Sequence, residues 1–131
     1  MNLQDSFRGL SEQTRIRIVN LLLLGEMCGC DLQRVLDVPQ PYISRHLIYL
    51  KRAGLVEDRR EGFRVLYRLA QGKREKRLFE FLRQALRDEE VFVRDAQRAR
   101  QALAGGKLSV SSAKAAGRPA RRGEWGAASG L

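Results

Sequence analysis

The sequence predicts a mainly helical domain with one small β-hairpin, and three observations support that prediction. Ile43, Leu47 and Leu50 recur at i, i+4 and i+7, which is the spacing of one helix face. A shorter helical pattern precedes them, across a turn that contains Pro39 and Pro41. Two strand-like runs follow directly. Two helices joined by a tight turn and followed by a hairpin form a winged helix-turn-helix.

The helices are predicted from apolar spacing and from capping residues. An apolar face at i, i+4 and i+7 predicts a first helix and is formed by Leu3, Phe7 and Leu10. Ser11 is a favourable N-cap for a second helix, and Gly25 is a natural end for it. We expect Asp31 to cap a short third helix. The fourth helix then covers about residues 40–53.

The hairpin is predicted over residues 55–60 and 63–69, with Glu61 and Gly62 in the turn. Two sets of side chains alternate along the second strand, namely Phe63, Val65, Tyr67 and Leu69 against Arg64, Leu66 and Arg68. This period of two predicts a strand with one buried face. A hairpin in this position is a wing.

A long fifth helix is predicted over about residues 74–103, and its apolar face exceeds what one small core needs. We therefore expect a dimer in which the first and fifth helices form the subunit interface; the alternative is an ordinary core helix. The predicted interface residues are Leu3, Phe7, Leu78, Phe81, Leu82 and Ala85. Beyond this helix the composition changes to Gly, Ala, Ser and basic residues. We divide the chain into a folded domain, 1–104, and a disordered basic tail, 105–131.

The composition restricts the partners and the compartment. The 131 residues include 25 Lys and Arg against 15 Asp and Glu, a net charge of +10. This balance favours a polyanion, either nucleic acid or an anionic membrane surface. The longest aliphatic block, residues 21–24, is far too short for a membrane span, and no signal peptide is evident. We expect a cytoplasmic protein, no membrane partner, and reduced thiols.

The predicted DNA contacts lie on the fourth helix and on the wing. A recognition helix reads base edges with its first turns, where Gln can pair with adenine and Arg with guanine. The candidates on the helix are Gln40, Tyr42, Ser44, Arg45 and His46. The candidates on the wing are Arg59, Arg60 and Arg64, which could reach the minor groove or the backbone.

Cys28 and Cys30 are the candidate ligands of a soft ion, because thiolates favour As(III), Sb(III), Cd(II), Pb(II) or Hg(II) over hard cations. Residues i and i+2 lie about 200° apart around an α-helix, so both sulfurs cannot meet one ion on an intact helix. We therefore expect ion binding to distort the start of the third helix, which Gly29 eases. That distortion would shift the recognition helix off its bases.

Four segments, taken together and in order, resemble the ArsR/SmtB family of metal-responsive winged-helix repressors. They are L-S-E-Q-T-R-I-R-I-V-N-L-L, G-E-M-C-G-C-D-L, Q-P-Y-I-S-R-H-L-I-Y-L-K-R-A-G-L-V and R-R-E-G-F-R-V-L-Y-R-L. The resemblance implies a homodimer through the first and last helices. It also implies repression of its own operon by binding operator DNA, and release on binding an inducer ion.

The E-M-C-G-C-D-L segment looks most like the arsenite and antimonite repressors of that family, and next like its cadmium and lead sensors. Gln33 stands where the best-known arsenite repressors carry a third cysteine. Residues 74–104 contain no histidine, so the zinc and cobalt site of the family is absent. The leading hypothesis is a repressor released by As(III) or Sb(III), or by a monosubstituted organoarsenical that needs only two protein ligands.

Two alternatives stay open. The first keeps the fold and makes the switch thiol oxidation, or Cd(II) or Pb(II) binding. The second is an enzyme or a metal-sequestering protein. We expect no enzyme and no organic cofactor, because the sequence offers one histidine and neither a nucleophile–base set nor a phosphate-binding loop. Neither the operator sequence nor the third ligand of the ion follows from the residues.

Overall fold

The computed structural model describes residues 2–109 and 125–126 of the chain. Six α-helices are present in this part: α1 (Leu3–Gly9), α2 (Gln13–Leu22), α3 (Gly29–Leu36), α4 (Gln40–Arg52), α5 (Lys73–Ala85) and α6 (Glu90–Ala104). The strands are β1 (Met27–Cys28), β2 (Val56–Glu61) and β3 (Arg64–Leu69), in one antiparallel sheet with the order β1-β3-β2. This arrangement confirms the predicted winged helix-turn-helix.

The helix-turn-helix consists of α3, a short turn and α4. Asp37 ends α3 in the left-handed conformation (φ 55°, ψ 45°), and Pro39 precedes α4. Three side chains of α4 face the core and are almost fully buried, as the spacing predicts: Ile43, Leu47 and Leu50. The opposite side of α4 is exposed. The apolar stripe therefore fixes which side of α4 is available to a partner.

The cap of α2 differs from the prediction. Ser11 does not cap it; Glu12 is the N-cap, and its carboxylate accepts a hydrogen bond from the backbone N–H of Arg15 at 3.1 Å. Ser11 instead donates its hydroxyl to the carbonyl of Arg8 at 2.7 Å. With Glu12 as its N-cap, α2 begins at Gln13, one residue later than a cap at Ser11 would place its start.

The wing contains a third strand that the sequence does not predict. β1 has only two residues, too few to show a period of two, and it pairs Met27 with Tyr67 and Cys28 with Leu66. The thiol-bearing segment is therefore hydrogen-bonded to β3, the central strand of the sheet.

The buried face of β3 also differs from the prediction. Leu66 is fully buried, opposite Cys28, whereas Phe63 is fully exposed at the tip of the hairpin beside Gly62. Gly62 and Phe63 at the hairpin tip are both exposed and do not pack against the core. Alternation alone cannot distinguish which of two apolar faces meets the helices.

The predicted long fifth helix is in fact two helices. α5 ends at Ala85, a 3₁₀ turn covers Leu86–Asp88, and α6 begins at Glu90. The periodicity continues across the break without Gly or Pro, so the sequence carries no stop signal there. The turn lets α6 pack against α2, where Arg17 donates two hydrogen bonds to the buried Asp95 at 2.7 and 3.0 Å. These bonds raise the pKa of Arg17.

Candidate thiol site and DNA-binding face

The two cysteines lie at the junction between β1 and α3. Cys28 is the last residue of β1 and the N-cap of α3, with extended backbone angles (φ −80°, ψ 164°). Its Sγ accepts a hydrogen bond from the backbone N–H of Asp31 at 3.1 Å, and the Asp31 carboxylate accepts one from the N–H of Cys28 at 3.3 Å. This reciprocal pair is a capping box. The prediction that Asp31 itself caps α3 is therefore wrong.

The sulfur atoms of Cys28 and Cys30 lie side by side and are joined as a disulfide in this structure, with the Cα atoms 5.2 Å apart. Because Cys28 precedes the helix, the angle between two residues inside a helix does not apply to this pair. The prediction that α3 must be distorted before both sulfurs can meet one ion is therefore wrong. Cys28 is buried and Cys30 is exposed, so a ligand has access from the side of Cys30.

Asp31 completes the group of candidate ion ligands. The ligand atoms of Cys28, Cys30 and Asp31 all lie within 4.8 Å of one another, in a search of residues 2–109 and 125–126. Once the disulfide is reduced, two thiolates beside a carboxylate fit a soft, thiophilic ion. Such an ion would be held by Cys28 and Cys30, with the buried Asp31 carboxylate next to them.

Residues 105–109, which the sequence analysis assigns to the tail, pack against the domain beside the thiols. Leu108 is buried, and Ser109 contacts both Asp31 and Cys28. Nothing in the sequence predicts this contact, because the segment is short and lies 81 residues from Cys28. The predicted disorder of residues 110–124 and 127–131 concerns positions outside the described residues.

The exposed side of α4 carries most of the predicted base-reading residues. Gln40, Tyr42 and Arg45 are exposed, and the Arg45 guanidinium lies 5.5 Å from the centre of the Tyr42 ring. Ser44 is half-buried and accepts a hydrogen bond from the Gln40 amide at 2.8 Å. These contacts join the four side chains in two pairs on the first two turns of α4: Gln40 with Ser44, and Tyr42 with Arg45.

His46 does not belong to that surface. Its ring nitrogens lie 3.4 Å from the Arg15 guanidinium and 3.8 Å from the Glu12 carboxylate, so the side chain faces α2. The predicted role of His46 in DNA contact is therefore not supported. A stripe at i, i+3, i+4 and i+7 is broad enough that one of its members packs against a neighbouring helix.

Arg59 is likewise buried rather than available at the wing, so its predicted DNA contact is not supported. It is 8% exposed and pairs with Glu26 at 3.1 Å and with Glu61 at 2.8 Å. Arg60 is exposed, as predicted. Arg64 is partly exposed and pairs with Glu61 at 2.6 Å. Alternation along β2 places neighbouring arginines on opposite faces, and sequence alone did not show which face is covered.

Trp125 is the residue that covers Arg59. Its ring lies 5.0 Å from the Arg59 guanidinium and 4.5 Å from that of Arg68, both cation–π distances. The backbone N–H of Gly126 donates to the carbonyl of Asp58 at 2.6 Å. Trp125 lies in the segment predicted to be a disordered tail, and its sequence context predicts no role for it.

Comparison with known proteins agrees with this geometry. Residues 12–58 match the model of the bacterial regulatory protein, arsR family. A structure of a homodimeric winged helix-turn-helix DNA-binding domain from Mycobacterium bovis, a possible ArsR-family transcriptional regulator, is 34% identical and superposes with a TM-score of 0.58. The alignment covers 67% of this chain and 80% of that one. The chain belongs to the arsR family of bacterial regulatory proteins.

Two curated relatives within this family are similar over part of the chain. The arsenical resistance operon repressor of Escherichia coli K12 is 52% identical over 65 residues, which is 49% of this chain and 56% of the relative. A cadmium resistance transcriptional regulatory protein CadC homolog from Staphylococcus aureus is 37% identical over 70 residues, 53% of this chain and 58% of the relative. The chain thus spans a little over half the length of these relatives. The relatives are regulators rather than enzymes, as the sequence predicts.

The dimer residues predicted for this arsR-family chain fall into two groups. Leu3, Phe7 and Phe81 are exposed and available to a partner. Leu78 and Ala85 are half-buried, and Leu82 is buried within its own chain, so Leu82 is not available as an interface contact.

No helix in the described part of the chain is long and apolar enough to cross a membrane.

Substitutions at the two neighbouring wing arginines should have different effects, one on stability and the other on DNA affinity. We predict that Arg59→Ala lowers the free energy of unfolding by about 2–3 kcal/mol, because Glu26 is left buried without its partner. Arg60→Ala should change stability by less than about 0.5 kcal/mol and weaken DNA binding several-fold. Urea unfolding and fluorescence anisotropy on the same samples provide both quantities. Equal stability of the two variants would contradict the assignment of Arg59.

The exposed apolar residues of α1 and α5 should hold the dimer together. We predict that the double variant Phe7→Glu, Phe81→Glu is monomeric in sedimentation velocity, because four carboxylates would be buried in one interface. Phe63→Glu is the matched control, since Phe63 is also an exposed phenylalanine but lies at the wing tip. A double variant that sediments like the parent protein would rule out this interface.

Proposed function

We propose that this protein is a metalloid-responsive transcriptional repressor. It binds operator DNA as a homodimer and is released when As(III) or Sb(III) binds the thiolates of Cys28 and Cys30. One observation carries the proposal: Cys28 is both the N-cap of α3 and a residue of β1, which pairs with the central strand of the wing. The thiol site thus contacts the wing directly, and it is linked to the recognition helix α4 through α3, which packs against α4.

Charge and exposure support the DNA-binding half of the proposal. The chain carries a net charge of +10, and Gln40, Tyr42 and Arg45 are exposed together on α4. Arg60 is exposed on β2, and in this proposal it contacts the DNA backbone beside the groove that α4 would enter. Phosphate contacts of such cations make affinity fall as salt rises.

The cap at Cys28 supplies the switch. While Cys28 Sγ accepts the Asp31 N–H, it stabilises the first turn of α3. An oxygen cap in this position contributes about 1 kcal/mol, and sulfur, a weaker acceptor, contributes less. A sulfur that binds an ion has less electron density to share with that N–H, so the start of α3 is free to move. α3 joins α4 through the turn at Asp37, so the movement reaches Tyr42 and Arg45. Allosteric couplings of roughly 1–3 kcal/mol weaken a second ligand by about 5- to 150-fold.

The donor set supports a trivalent metalloid as the inducer. Two thiolates favour soft ions, and the name of the Escherichia coli relative connects a similar sequence with arsenical resistance. A monosubstituted organoarsenical is a further candidate, because it needs only two protein ligands. Gln33 lies on α3 where arsenite repressors of the best-known type have a third cysteine, so the third ligand must come from elsewhere.

A second candidate function keeps the fold and changes the signal. The two sulfurs are close enough to be joined as a disulfide here, which favours a thiol-redox switch as the alternative. Cd(II) or Pb(II) would use the same thiolates, and the cadmium resistance regulator among the relatives supports that variant of the alternative. Both alternatives predict release of DNA through the same two residues.

Fluorescence anisotropy on labelled DNA from upstream of its own gene tests the proposal. Reduced protein is titrated with As(III), Sb(III), phenylarsenite, Cd(II) and Zn(II), and separately with peroxide. We expect As(III) or Sb(III) to lower DNA affinity by about tenfold or more, as an allosteric coupling of this kind does. Cys28→Ser and Cys30→Ser should bind DNA and lose this response. Gln33→Ser is the matched control on α3 and should respond like the parent protein.

Each other outcome has a meaning. Release by peroxide alone would move the redox switch to first place, and release by Cd(II) alone would assign the site to that ion. Tight DNA binding that no addition weakens would refute the switch. Failure of the reduced parent protein to bind DNA of any length upstream of the gene would refute repression.

A further inference from the structure

A fourth polar residue lines the thiol site, and it comes from the segment after α6. This segment is held on both sides of Ser109. Leu108 packs into the core at 8% exposure, and the carbonyl of Lys107 accepts a hydrogen bond from Arg34 of α3. The carbonyl of Ser109 accepts one from Arg64 of the wing. Ser109 is therefore placed against the site by contacts with two other elements.

Ser109 makes its own contacts with the site through both backbone and side chain. Its N–H donates to Asp31 Oδ1 at 2.7 Å, and its hydroxyl donates to Asp31 Oδ2 at 2.9 Å. The same hydroxyl oxygen lies 3.0 Å from Cys28 Sγ and 3.7 Å from Cys30 Sγ. Asp31 is only 2% exposed. One side of the sulfur pair is thus lined by oxygen atoms and closed by the chain.

The chemistry of arsenite makes an oxygen-lined side useful. Arsenite carries three hydroxyl groups on trivalent arsenic. Each cysteine thiol forms one arsenic–sulfur bond, and the displaced hydroxyl leaves as water with the thiol proton. Arsenic keeps its oxidation state and one hydroxyl group after two such exchanges. That remaining hydroxyl needs hydrogen-bonding partners if it is to be removed from water at low cost.

A monosubstituted organic arsenical differs at this position. Its two exchangeable hydroxyls are replaced by the two sulfurs, and its third substituent is a carbon group. An aromatic ring there would meet the polar groups of Ser109 and Asp31. The side chains that suit a hydroxyl are therefore poor partners for the ring.

We propose that Ser109, with Asp31, forms an oxygen-binding side of the thiol site. This side recognises the hydroxyl that a trivalent metalloid retains after both thiolates have bound, and it selects inorganic arsenite over monosubstituted organic arsenicals. Ser109 is thus a specificity-determining residue for the ligand. The inference rests on the proposed function, because it assigns the third position of the same site.

Direct binding of two arsenicals to the reduced full-length chain, without DNA, tests this proposal. The ultraviolet absorbance of arsenic–thiolate bonds follows arsenite and phenylarsenite binding to the parent protein, Ser109→Ala, Ser109→Thr and Cys28→Ser. We expect Ser109→Ala to weaken arsenite by about fivefold, the scale of one hydrogen bond. Its affinity for phenylarsenite should be unchanged or higher. Ser109→Thr keeps the hydroxyl and should restore arsenite binding to within about twofold.

The two ligands make the outcome unambiguous. Unchanged phenylarsenite binding by Ser109→Ala shows that the variant is folded with its thiols in place. If Ser109→Ala leaves arsenite affinity unchanged, or weakens both arsenicals equally, the role of Ser109 is refuted while the metalloid site stands. If neither arsenical binds the reduced parent protein, the proposed function fails and this inference fails with it.

Discussion

The structure depends on one unusual helix cap. The Sγ of Cys28 accepts the N–H of Asp31, and the Asp31 carboxylate accepts the N–H of Cys28. Oxygen-bearing side chains usually make the first of these bonds. With sulfur in that position, the group that holds the first turn of α3 is also the group with the strongest affinity for soft ions. In the proposed function, the atom that caps α3 is therefore also the atom that binds the inducer ion.

That identity explains how a small site can influence a large surface. Cys28 follows Met27 in β1, and β1 pairs with β3 at Leu66 and Tyr67. α3 leads into α4 across a turn of few residues. The wing and α3 therefore meet at Cys28, and α3 is the one element between Cys28 and the recognition helix α4 along the chain. Binding of one ion by both cysteines would not require α3 to unwind, because the two sulfurs already lie together at its start.

Several features follow from sequence because they repeat or because they are local. The spacing of Ile43, Leu47 and Leu50 predicts the buried face of α4, and the turn chemistry at Gly62 predicts the hairpin. The exposure of Tyr42 and Arg45 follows from the same spacing. These predictions need only one element and its own periodicity.

Other features depend on which elements meet, and sequence does not show that. Arg59 resembles Arg60 in sequence, yet Arg59 is buried against Glu26 and Trp125 whereas Arg60 is exposed. His46 belongs to a polar stripe of α4, yet its ring contacts Arg15 of α2 and Glu12, the N-cap of α2, rather than facing the exposed side of α4. Ser109 contacts Cys28 although the two residues are 81 positions apart in the sequence. In each case the partner is distant in sequence and leaves no local pattern.

The central claim is that the cap at Cys28 connects the thiols to both DNA-binding elements. Amide hydrogen exchange of the reduced protein, with and without As(III) and without DNA, measures this most directly. We predict faster exchange at Asp31, at Leu66 and Tyr67 of β3, and at Tyr42, whose N–H donates to Pro39 at the start of α4. Changes confined to residues 28–31 would contradict the claim.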